Sequence, residues 1–248
     1  PKGSVSLNPS SHIKDKKFGF FEPQNVFFQE VADELGMKKS DNEFFRHPLA
    51  FLVEAADDIC YTLIDFEDGI NLGWINEEFA LEFLIRLVKG TIDTKKYNSL
   101  QHKSDRVAYL RALSVNTLIN DATEIFIDNE EEILKGEFSK SLLEKSIYKA
   151  QMEDILNISV NKVYNSEEVI EKELKGYQVI NHLLNVFIKA TVNNQNDQMT
   201  AFDKLALECI PQSYIHKSGS LYIQLLDISC FIASLTDGKA LEWYEKVK

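Results

Sequence analysis

The chain has 248 residues, 44% of them hydrophobic, and 39 acidic against 27 basic side chains give a net charge of −12. That length and apolar content can bury a substantial core, as one large helical domain or two small ones, so disorder is not the expectation. The acidic balance repels a phosphate backbone on average, which argues against whole-surface nucleic-acid binding.

Ten Gly and five Pro are too few for a sandwich built from many tight turns, while Leu, Ile, Glu, Lys and Ala recur in long stretches, so the chain reads as all-α. Three cysteines, Cys60, Cys209 and Cys230, have no CxxC spacing and read as reduced thiols of a cytoplasmic protein, with no structural zinc site. No apolar run approaches the roughly 18 residues needed to cross a membrane, and no signal peptide is expected. Pro1 stands where an initiator Met would be, so the sequence is read as part of a longer protein.

In chain order, residues 1–17 are polar and read as a loop, and residues 18–23 make an aromatic turn ending at Pro23. Residues 24–35 carry helical periodicity and stop at Gly36, a C-cap candidate, and residues 38–45 read as a linker. Arg46-His47-Pro48 then opens a long helix running to about Gly69, with Pro in its first turn. Further helices are expected over 76–88, 104–127, 130–134, 140–147, 150–163, 167–192, 201–209, 219–235 and 238–247, with 193–198 as the clearest exposed loop.

The stretch from Arg46 to Gly69 is the informative one. At about 100° per residue, Glu54, Asp57, Tyr61, Asp65 and Asp68 fall within an arc of roughly 80°. Leu49, Leu52, Ala56, Ile59, Leu63, Phe66 and Ile70 gather opposite. On spacing alone the arc is a solvated face or an acidic binding face. Four carboxylates without a Lys or Arg among them repel one another at about 0.2–0.5 kcal/mol per neighbouring pair, which a cation facing the arc would offset. Tyr61, offering a ring and a hydroxyl between Asp57 and Asp65, suits a stripe with a metal at one end and a polar ligand along it.

Residues 46–69, and Ala55-Ala56-Asp57-Asp58-Ile59-Cys60-Tyr61 in particular, resemble the last metal-ligand helix of the deoxyguanosinetriphosphate triphosphohydrolase family of HD-type phosphohydrolases. Pro1-Lys2-Gly3-Ser4 and Lys16-Lys17-Phe18-Gly19-Phe20-Phe21 resemble two further family segments. Residues 226–241 resemble the family's closing Gly-Met-Thr-Asp-x-Tyr-Ala pattern, departing from it at Ser234, Leu235 and Lys239. The resemblance implies a multi-helix C-terminal part of an HD-type phosphohydrolase. It makes Asp57 a ligand of a divalent metal (Mg²⁺ or Mn²⁺), turns Tyr61 and Asp65 toward the nucleotide, and brings Lys17, and less strongly Lys2, to a phosphate. His47 is expected to be structural.

The implied reaction cleaves a deoxynucleoside triphosphate, dGTP first among them, to the deoxynucleoside and tripolyphosphate. Its metal is held by two His and two Asp, and no His-Asp dipeptide occurs here, so three ligands are expected from a part of the protein outside this sequence and the chain alone is expected to be inactive. The resemblance also implies a homo-oligomer. Some members of the family engage single-stranded DNA, and Lys95, Lys96, His102, Lys103, Arg106 and Arg111 form a local basic strip here, although the overall charge disfavours that partner. The rival reading is a helical regulatory or scaffold module whose acidic face docks a basic partner.

Overall fold

A computed structural model describes residues 20–40, 43–214 and 219–248. The described residues are all-α apart from one small hairpin, as the composition predicts. They divide into two compact units, Pro1–Ser166 and Glu167–Lys248.

In the first unit, α1 (Asn25–Glu34) ends where Gly36 turns to φ +63°. The amides of Gly36 and Met37 then reach back to the Asp33 and Ala32 carbonyls, closing the helix with the 6→1 and 5→2 bonds of a left-handed C-terminal cap. The expected linker is instead an antiparallel pair, β1 (Lys38–Ser40) and β2 (Glu43–Phe44). Its residues lack apolar alternation. What supports it is aromatic: Phe28 of α1 meets Phe44 edge-on at 4.9 Å and stacks on Phe20 at 4.5 Å.

α2 (Ala50–Asn71) is the axis of this unit. His47 Nδ1 accepts from the Leu49 amide at 3.2 Å just ahead of the helix. Phe51 and Ala55 bury into a cluster with Ala122, Ile133, Phe138 and Leu142, while Ile59, Leu63, Phe66 and Ile70 enter the larger core. Each such side chain contributes about 1.5–3 kcal/mol of burial. The larger core is completed by α3 (Glu77–Val88), which Asn76 caps, by α5 (Lys103–Asp128) and by α8 (Lys149–Ser159). A short helix α4 (Thr94–Ser99), capped by Asp93, precedes α5 and was not expected, because its polar residues carry no apolar period. The helices α6 (Glu130–Leu134) and α7 (Leu142–Lys145) follow α5. α8 runs on into a π-helical turn, Val160–Tyr164, in which the Asn165 amide reaches five residues back to the Val160 carbonyl.

The helical wheel needs correction at three positions. Leu49 is 55% exposed and Ala56 is exposed, although both were placed on the apolar side, and Glu54 is buried. Glu54 goes in to meet Arg46. Its guanidinium sits 4.5 Å over the Phe51 ring and donates to Glu54 Oε2 at 3.0 Å and to the Ala50 carbonyl at 3.2 Å. One of the four carboxylates is thus neutralised by a cation from outside the helix.

The second unit packs α9 (Glu167–Gln195), α10 (Ala201–Glu208), α11 (Leu221–Ala233) and α12 (Asp237–Val247) around Val179, Leu183, Phe187, Ile210, Ile228 and Phe231. α9 runs three residues into the expected 193–198 loop. Asn193 at its end donates to Asp203 Oδ2 at 2.9 Å, which ties the α9–α10 corner. Among the described residues no helix is long and apolar enough to cross a membrane.

Two outcomes follow. Glu54→Ala removes a carboxylate to which the Arg46 guanidinium donates and is expected to cost about 1–3 kcal/mol in urea denaturation, whereas replacing both partners by apolar residues costs less. Asp203 is held below the usual carboxylate range by the Asn193 amide first, then by the Thr200 amide and hydroxyl. Its stabilisation is therefore present above the unfolded-state value of about 4 and lost as pH falls through the lower folded value, so Asp203→Asn should shallow the acid limb of a stability–pH profile.

Candidate functional site

Successive turns of α2 carry Asp57, Tyr61 and Asp65, placed there by the burial of Ile59, Leu63 and Phe66 on the other side. The three differ sharply in environment. Asp57 is exposed and makes no ion pair or hydrogen bond among the described residues. Tyr61 is 56% exposed. Asp65 is half-buried, and its Oδ2 accepts the Tyr164 hydroxyl at 2.6 Å. The Tyr164 and Tyr61 rings lie 5.8 Å apart at 35°.

Tyr164 is the residue that sequence reasoning missed. It sits on the π-helical turn, 99 positions from Asp65, and no spacing rule links the two. The available signal was only that an aromatic closed the 150–163 helical pattern. Burial first, then the hydrogen bond to Asp65, then the neighbouring Tyr61 hydroxyl push the Tyr164 hydroxyl far above its ordinary value, so it stays a donor.

The rest of the expected face divides. Glu54 belongs to Arg46, and Asp68 is exposed. Asp58 lines a hollow of about 260 Å³ with Tyr61, Thr62, Lys149 and Met152. Lys17 and Lys2 lie outside the described residues. Among the described residues no three His, Cys, Asp or Glu side chains come together as a metal cluster. Asp57 by itself offers one carboxylate where divalent cations take four to eight donor atoms, so a metal there needs ligands beyond those the described residues bring to it. In the basic strip, Arg111 pairs with Glu67 at 2.7 Å, Lys103 with Glu77 at 3.3 Å, and Lys96 lies 5.1 Å over the Tyr109 ring.

No family model matches the chain. Among curated proteins it is 29% identical over its whole length to the deoxyguanosinetriphosphate triphosphohydrolase-like protein of Synechocystis sp., covering 55% of that protein. It is 30% identical to the protein of the same name in Pseudomonas aeruginosa, across 92% of this chain and 53% of the relative. The deoxyguanosinetriphosphate triphosphohydrolase of Serratia proteamaculans is 33% identical over 72% of this chain and 38% of its own length. The all-α architecture and these matches define a multi-helix portion of the HD-type phosphohydrolase class. Within that class, the chain belongs to the deoxyguanosinetriphosphate triphosphohydrolase family. It spans about half the length of the first curated relatives it matches.

The Tyr164–Asp65 bond has a spectroscopic consequence. A raised folded value means that the Tyr164 contribution to stability is complete below the unfolded value of about 10 and is lost only as pH rises through the folded one. In an alkaline titration of tyrosinate absorbance, one of the nine tyrosines should resist ionisation until the protein unfolds, and Tyr164→Phe should remove that fraction.

Proposed function

We propose that this chain supplies one side of the site of a metal-dependent hydrolase that cleaves a deoxynucleoside triphosphate, dGTP first among candidates, to the deoxynucleoside and tripolyphosphate. The observation that carries the reading is the pairing of an unengaged carboxylate, Asp57, with a pre-organised tyrosine–carboxylate couple eight residues further along the same helix face. Eight residues rise about 12 Å, a span suited to a nucleotide whose phosphates lie at one end and whose sugar lies at the other.

In this reading Asp57 is one ligand of a Mg²⁺ or Mn²⁺ ion whose other ligands lie outside this sequence. The metal, when bound, supplies charge neutralisation for the phosphates and an activated water. Asp65 keeps Oδ1 to accept from a sugar hydroxyl while Oδ2 stays with Tyr164. Because Tyr164 holds its proton, it remains a donor to Asp65 Oδ2. The Tyr61 ring, exposed and beside that couple, gives the sugar an apolar wall. Lys17 and Lys2 reach phosphates. The whole protein is a cytoplasmic homo-oligomer.

The test is release of tripolyphosphate from dGTP with Mn²⁺, measured on this chain together with the additional length its relatives possess, supplied as a separate polypeptide. Asp57→Ala should abolish turnover, a loss larger than the roughly 10–100-fold that removing a neighbour of a metal ligand costs. Asp65→Asn should act mainly on KM. Inactivity with every ligand present would overturn the hydrolase reading. Small, equal losses at Asp57, Asp65 and Asp68 would favour a face that docks a basic partner.

A further inference from the structure

Gly69 lies one helical turn beyond Asp65 on α2, buried at the end of the face that carries the candidate site. A methyl group at this position would stand 2.6 Å from Val163 Cγ2 and 2.8 Å from Ile75 Cδ1, both well inside the closest approach that carbon atoms tolerate. Both side chains are β-branched, held in few rotamers and buried in the main core, so neither turns aside freely, and Val163 makes the closer approach.

Val163 is the residue immediately before Tyr164, inside the π-helical turn. The space at Gly69 therefore fixes how closely that turn can lie against α2. The same residue also closes the helix end, since its carbonyl accepts from the Trp74 and Ile75 amides at 2.9 and 3.0 Å while Gly73 takes φ +76°. The helix end and the turn that carries Tyr164 thus converge on one position without a side chain.

We propose that Gly69 is a positioning residue for the candidate site: its missing side chain lets Val163 seat against α2, and that contact sets the reach of the Tyr164 hydroxyl to Asp65. This rests on the reading of Asp65 and Tyr164 as a sugar-facing couple, but it makes a claim about geometry that can be measured without substrate. A merely structural glycine would affect stability and leave the hydroxyl–carboxylate bond as it is.

The experiment compares the wild-type chain with Gly69→Ala, Val163→Ala and the double variant, each checked for helical content by circular dichroism and then titrated to alkaline pH by tyrosinate absorbance. Gly69→Ala should bring the resistant tyrosine, assigned through Tyr164→Phe, down into the ordinary range. The double variant, in which the closer of the two clashes has been removed, should move its resistance back toward the wild-type level. An unchanged resistant fraction in a folded Gly69→Ala, or a double variant no closer to wild type than the single one, would overturn the proposal. If Gly69→Ala does not fold, the double variant decides: a folded double variant that keeps the resistant tyrosine supports the seating contact, and one that does not fold or lacks it refutes it. Reading KM for dGTP on the same variants separates the two ideas, because a shifted titration with unchanged KM keeps the positioning role and removes the sugar-facing assignment.

Discussion

A hydroxyl donated by Tyr164 to the Asp65 carboxylate joins two segments 99 residues apart, and the arrangement of the candidate site follows from it. A half-buried carboxylate left alone would be poorly solvated and free to rotate, whereas one that accepts a short hydrogen bond from a tyrosine has one oxygen committed and the other directed. The bond forms because α2 and the π-helical turn lie close together, which in turn requires the small residue at 69. Packing sets the hydrogen bond, and the hydrogen bond sets the direction in which the site can read a ligand.

α2 meets two demands that conflict on an isolated helix. It buries Phe51, Ala55, Ile59, Leu63, Phe66 and Ile70 in two clusters, and it also carries four carboxylates within one arc. The conflict is relieved carboxylate by carboxylate. Glu54 takes Arg46, Asp65 takes Tyr164, and Asp57 and Asp68 keep water. This unequal treatment distinguishes the arc from an ordinary solvated stripe, in which every charge would face solvent alike. Asp57 is unengaged at one end of the arc and Asp65 engaged at the other, and the roles proposed for them rest on that difference.

The family assignment and the local geometry bear on different questions. Similarity along the chain to proteins named as dGTP triphosphohydrolase-like places this sequence in their family, of whose members it spans about half the length. The geometry adds what a name does not contain, namely which carboxylates are available and which are already occupied.

The sequence by itself determined the all-α class and nearly every helix, because apolar periodicity and local caps such as Gly36 and Asn76 act over a few residues and are written in the chain where they operate. It also determined that Asp57, Tyr61 and Asp65 share one side of α2. Only the tertiary structure decided that Glu54 goes inside to meet Arg46, that Leu49 and Ala56 stay out, and that residues 38–40 pair with 43–44 beside Phe28. Tyr164 belongs with these. Its role depends on a contact across 99 residues and on a π-turn whose extra residue carries no compositional mark, and a periodic pattern records which face a side chain occupies, not what arrives to meet it.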